Sequence, residues 1–112
     1  MFDALNVSYD LVRSVQPLIR RVAAQDRSLA DQLRRAVASP ALNLAEGSRL
    51  CDRSCANHYR IAAGSTREVE AVLRVAEALG YVDAAEVADA LALTDRLSAM
   101  LYRLRHRQGT RR

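Results

Sequence analysis

Residues 52–80 read Asp-Arg-Ser-Cys-Ala-Asn-His-Tyr-Arg-Ile-Ala-Ala-Gly-Ser-Thr-Arg-Glu-Val-Glu-Ala-Val-Leu-Arg-Val-Ala-Glu-Ala-Leu-Gly. No proline interrupts them, and Cys55, Tyr59, Ala62, Thr66, Val69, Leu73 and Ala76 recur at alternating steps of four and three. That period places all seven on one helical seam. The stretch predicts a helix of about 28 residues, ~42 Å long at 1.5 Å per residue. Ile61, Val72, Val75 and Leu79 widen the apolar surface beyond a narrow stripe, so this helix needs neighbours on more than one side. Its small-residue run Ala62-Ala63-Gly64-Ser65 predicts a close helix-helix contact at Gly64.

Three further apolar-periodic segments lie outside it. The first spans about residues 3–24, with Leu11, Val15, Leu18 and Val22 on one stripe and Leu5, Val12 and Ile19 beside it; Pro17 is expected to bend or break it. The second is expected to start at Ser28, where Ser-Leu-Ala-Asp has capping-box spacing. It presents Leu29, Leu33, Val37, Pro40 and Leu44, and Gly47 is expected to end it as a left-handed cap. The fourth follows Asp83 and carries Val87, Leu91, Thr94, Leu97, Leu101 and Leu104, leaving Leu93 and Met100 on a flank that could face another subunit. Four segments and three short breaks give an all-α, up-down antiparallel four-helix bundle over residues 1–108, with a disordered basic tail at 109–112.

The 112 residues suffice for one core. Four tyrosines and one phenylalanine among 50% hydrophobic residues leave that core to Leu, Val and Ala, and two prolines and four glycines are too few for a many-stranded sandwich or barrel. Nothing resembles a signal peptide or a membrane span, so the expected compartment is the cytoplasm, with Cys51 and Cys55 reduced.

The stretch Gln32-Leu33-Arg34-Arg35-Ala36, followed by Ser39-Pro40-Ala41-Leu42-Asn43-Leu44-Ala45-Glu46-Gly47, resembles the signature of a family of four-helix bundle proteins. Its founding members are encoded by intervening sequences in bacterial large-subunit ribosomal RNA genes. Ile61-Ala62-Ala63-Gly64-Ser65, Glu68 and Leu79-Gly80-Tyr81 resemble the family's later motifs, in order, over roughly residues 29–104. Pro40 directly follows Ser39, where the family has a residue between, and Cys55 and His58 stand at positions the family fills with aromatics. The resemblance implies a bundle that assembles into a ring-like homopentamer. The chain is also similar to the accessory variability determinant of diversity-generating retroelements, which implies nucleic acid and a reverse transcriptase or other nucleic-acid enzyme as partners.

All 17 basic residues are arginine, and the formal charge is +4. A net positive charge favours polyanionic partners, and the guanidinium fork suits phosphate and carboxylate. Arg53, Arg60, Arg67 and Arg74 recur at sevens and form one stripe, as do Arg13, Arg20 and Arg27, and Arg96 with Arg103. On the long helix, Glu70 and Glu77 stand at pair spacing from Arg74, so that stripe is read as a solvated face. The C-terminal set Arg103, Arg105, Arg107, Arg111 and Arg112 differs, because no acid lies among residues 101–112. It is the candidate phosphate-binding surface, with helix-dipole stabilisation as the alternative role of its first three members.

Arg34, Arg35, Asn43, Glu46 and Ser65 are read as a buried structural polar network, with Glu46 paired to an arginine. Cys51, Cys55 and His58 share a face but are one ligand short of a structural zinc site, so no metal and no cofactor is expected. No Ser/His/Asp set, phosphate-cradling glycine loop or His-Glu-x-x-His pattern is present, and Glu68 and Glu70 point to different sides of a helix. The sequence therefore predicts no enzyme. It predicts an oligomeric nucleic-acid-binding or ribonucleoprotein scaffold; the alternative is a structural homo-oligomer that binds a protein partner and no nucleic acid.

Overall fold

The computed structural model describes residues 3–49 and 53–110, with the side chains of 53–54 and 107–110 outside the description. Four helices follow one another: α1 (Asp3–Ala23), α2 (Arg27–Gly47), α3 (Arg53–Ala78) and α4 (Ala84–Thr110). Each packs on two neighbours, α1 on α2 and α4, and α3 on α2 and α4. Hydrogen bonds between side chains fix the directions. Gln32 reaches Glu68 and Ser65 reaches Ser39 across α2 and α3, while Arg21 of α1 holds Glu86 at the start of α4. Partner numbers that rise on one helix as they fall on the other mean antiparallel neighbours, so the described residues form an up-down bundle.

The period-derived seams are the core. All seven seam residues of α3 are buried, as are Leu11, Val15, Leu18 and Val22 of α1. In α2, Leu33, Val37, Pro40 and Leu44 are buried and Leu29 is half-buried. In α4, Val87, Thr94, Leu97 and Leu101 are buried and Leu91 and Leu104 pack at the edge. The buried hydroxyls turn back on their own helices: Ser8 donates to the Leu5 carbonyl, Thr66 to that of Ala62 and Thr94 to that of Leu91. Their burial therefore leaves no donor unsatisfied.

Several element ends depart from the sequence expectation. α1 runs unbroken through Pro17, whose side faces solvent. α2 is capped by Asp26 rather than Ser28: Asp26 Oδ1 accepts from the Leu29 amide at 3.0 Å. Its other oxygen accepts from the Tyr81 hydroxyl at 3.2 Å, so one carboxylate caps α2 and ties the α1–α2 turn to the α3–α4 turn. Gly47 is not a left-handed cap; it is the last residue of α2, and Ser48 follows at φ −67°. The left-handed glycine is Gly80, at φ 81°. There the Tyr81 amide donates to the Ala76 carbonyl and that of Gly80 to Glu77, the Schellman pattern that ends α3. Asp83 and Glu86 form the capping box of α4, each accepting from the other's amide at 2.8 and 2.9 Å. α4 extends to Thr110, beyond the boundary expected at 108; residues 111 and 112 lie outside the described residues.

Burial first, then the Asp26 charge and the hydrogen bond to it, raise the Tyr81 hydroxyl above its ordinary value of 10.0. A raised folded-state value means the folded protein keeps this proton longer. Its stabilisation is present below pH 10.0 and is lost as pH rises above it. Asp26→Ala is expected to cost about 1 kcal/mol through the lost cap alone. Urea unfolding of Asp26→Ala and Tyr81→Phe checks both: the first lowers stability at neutral pH, and the second weakens the fall in stability at alkaline pH.

Candidate nucleic-acid interface

The antiparallel arrangement sorts the charges along the bundle. One half holds the start of α1, the end of α2, the start of α3 and the end of α4. Its segments 3–13, 37–49, 53–65 and 94–110 contain eight arginines and four acids. The other described segments, 14–36 and 66–93, contain seven arginines and eight acids. The positive charge of the described chain thus sits at one pole, and after Asp95 no acid occurs.

Arg103 and Arg105 lie exposed on the last turns of α4, and among the described residues neither makes an ion pair. Arg107 belongs to the same helix, its side chain outside the description; Arg111 and Arg112 lie outside the described residues. On the α3 stripe, Arg74 pairs with Glu70 at 3.2 Å and Arg60 donates to Asn57 at 2.6 Å, while Arg67 is exposed with no ion pair among the described residues and the side chain of Arg53 lies outside the description. Such exposed pairs are individually worth about 0–1 kcal/mol.

The polar network differs from its sequence reading. Arg34 and Arg35 are exposed, Arg34 pairing with Asp31 at 2.6 Å, and Glu46 is exposed 3.9 Å from Arg49. Long charged side chains of α2 reach water instead of paying desolvation inside the bundle. Asn43 and Ser65 are joined instead through Ser39, and Asn43 carries the network on to His58, weighed above as a metal ligand. Asn43 Nδ2 donates to the Ser39 carbonyl at 3.0 Å and lies 3.2 Å from its hydroxyl, and Ser65 Oγ donates to Ser39 Oγ at 2.6 Å. With its amide nitrogen so engaged, Asn43 offers Oδ1 to His58 Nδ1 at 2.9 Å, which puts the histidine proton on Nδ1. The chain of hydrogen bonds crosses the α2–α3 interface and fixes its register. The four-residue step from Ser39 to Asn43 was the available signal.

Cys55 is buried, His58 is committed to Asn43, and Cys51 lies outside the described residues. Among the described residues no three His, Cys, Asp or Glu side chains gather as metal ligands, and no helix is long and apolar enough to cross a membrane. Leu93 and Met100, expected to flank a subunit contact, pack against the bundle's own core. The exposed large apolar residues are others, among them Leu42 at 67%, Leu79 at 56% and Val75 at 46%. Leu42 borders a groove of about 600 Å³ between α1 and α2, lined also by Tyr9, Val12, Ile19, Val37 and Ala41, with Arg13, Arg20 and Arg34 around it.

Fold and charge together define a small up-down four-helix bundle protein with a cationic pole. The sequence profile of the 23S rRNA-intervening sequence proteins matches residues 2–103, and the chain belongs to that family. Its fold is similar to that of a protein of unknown function from the S23 ribosomal protein family of Bacteroides thetaiotaomicron, solved at 1.70 Å. The TM-score is 0.85 at 15% identity, over 91% of this chain and 97% of that one. No curated protein matches significantly.

Proposed function

We propose that this protein is a non-enzymatic, cytoplasmic nucleic-acid-binding scaffold that holds the phosphate backbone at its cationic pole. The observation that carries the proposal is the acid-free end of α4, where Arg103 and Arg105 stand exposed without an acidic partner among the described residues. Arginines so placed neutralise phosphates and release counterions, which gives affinity without sequence preference. Membership of a family named for intervening sequences of 23S rRNA supports a setting in which RNA is at hand. A reverse transcriptase or another nucleic-acid enzyme is the protein partner that the retroelement resemblance suggests.

The scaffold is proposed to be a ring of five subunits. Exposed apolar residues at two separate places, Leu42 beside the α1–α2 groove and Val75 with Leu79 near the end of α3, support subunit contacts, since a head-to-tail contact uses two different surfaces of one chain. The family resemblance supplies the number, and a head-to-tail contact closes into a ring when its rotation permits. Light scattering at micromolar concentration is expected to return five times the 12.4 kDa chain mass; the mass of one chain would refute the ring.

Titration of labelled mixed-sequence RNA and duplex DNA at low ionic strength tests the binding. Both are expected to bind, with unrelated sequences alike. Strong preference for one sequence would overturn backbone recognition.

A further inference from the structure

The most exposed aromatic side chain among the described residues is Tyr102, at 60%, and it stands inside the cationic pole. Tyr59 is buried in the core and Tyr81 is tied to Asp26, but the Tyr102 hydroxyl has no hydrogen bond among the described residues. Its ring is stacked on that of His106, with centroids 3.7 Å apart and planes 26° from parallel. His106 Nδ1 donates to the Tyr102 carbonyl at 2.9 Å, which pins the imidazole over the phenol and leaves the outer ring faces to solvent. Arg105 follows Tyr102 by three positions and His106 follows Arg103 by three, so on the helix surface each ring has a guanidinium as neighbour.

We infer that the Tyr102–His106 pair is a base-stacking platform, and that the cationic pole therefore takes single-stranded nucleic acid in preference to duplex. The inference rests on the nucleic-acid reading above and narrows its substrate. Arginines alone treat any polyphosphate alike. Bases in a duplex are stacked on one another and offer no free face, whereas an unpaired base can extend the two-ring stack while Arg103 and Arg105 hold its flanking phosphates. Stacking on an aromatic side chain is tolerant of sequence, consistent with a surface that has no hydrogen-bonding code.

The sequence contains no tryptophan, so Tyr102→Trp places the protein's single tryptophan in the platform, excited apart from the remaining tyrosines. Short oligouridine is expected to quench it, while heparin, a polyanion without bases, is expected to leave it unchanged. Tyr102→Leu keeps an apolar helix-forming side chain at an exposed position. It is expected to weaken oligouridine binding by about tenfold or more and to leave heparin binding within about twofold. Equal affinity of the parent and Tyr102→Leu for oligouridine, with salt-dependent binding intact, overturns the platform alone. So does an equal loss for oligouridine and heparin. Tyr102→Leu changing the oligomer mass would make this residue a subunit contact instead. Failure of the parent protein to bind any nucleic acid removes the underlying reading together with the platform.

Discussion

Replacing Arg103, Arg105 and Arg107 together with glutamine is expected to weaken nucleic-acid binding by about two to three orders of magnitude at 0.1 M salt. Each duplex phosphate neutralised contributes about 0.9 to the slope of log affinity against log salt, and about 0.7 on a single strand. At 0.1 M, one decade below the molar reference, that is about eightfold or fivefold per contact, compounded over three. Glutamine has nearly the helix propensity of arginine, so helicity measured by circular dichroism should not move. The same replacement at Arg53, Arg60 and Arg67 is the comparison: Arg53 and Arg60 lie in the same half of the bundle, so some loss is expected, but a smaller one than at the acid-free end of α4. If the α3 replacements abolish binding and the α4 replacements do not, the interface lies on α3.

The second large effect is a difference in sign between two glycines. A Cβ on Gly47 would lie 3.0 Å from Tyr59 Cε1 and 3.1 Å from His58 Cβ. Tyr59 is buried, and the His58 Cβ moves only with the backbone of α3, so neither yields readily. Gly47→Ala is expected to destabilise the bundle by about 1–3 kcal/mol, the usual cost of overpacking. A Cβ on Gly64 meets nothing within 4 Å, so the expected close contact is absent there within the chain. Gly64→Ala should stabilise α3 by about 0.5–1 kcal/mol through backbone entropy alone. Urea midpoints of the two variants, measured against the parent, should fall on opposite sides of it. Destabilisation by Gly64→Ala would place Gly64 against another subunit.

These glycines mark where sequence reading ends. Periodicity identifies the seam from Cys55 to Ala76 because burial of one helical face is a local pattern repeated seven times. Whether a single glycine meets a neighbour depends on the rotation and register of two helices, and Gly47 meets Tyr59 only because α2 and α3 turn back on one another. The α2 cap is decided the same way. Asp26 and Ser28 are both competent N-caps by type, and the Tyr81 hydroxyl, 55 residues away, adds a second bond to the former. In the polar cluster, Asn43 and Ser65 could be picked out as polar residues amid small ones. Ser39 and His58 join them through the antiparallel register, while charged Arg34, Arg35 and Glu46 stay in water.

The acid-free end of α4 was legible, since the absence of acids after Asp95 needs no structure, whereas the pole it belongs to depends on how the four helices are laid antiparallel. The aromatic pair was half legible. Tyr102 falls off the stripe of Leu97, Leu101 and Leu104 and stands four residues before His106, which puts both on one outward face of α4. The stacking itself depends on the bond from His106 to the helix backbone, which spacing alone does not reveal.

The most direct test of phosphate binding at this pole is the salt dependence of affinity for a single-stranded RNA, measured by fluorescence anisotropy on the unmodified protein from low ionic strength upward. A straight line of log affinity against log salt is expected, with a slope of about −2 to −4, the value for three to five phosphates neutralised per subunit on a single strand. A flat line, or no binding at the lowest ionic strength, would contradict phosphate recognition and leave a protein-binding scaffold in its place.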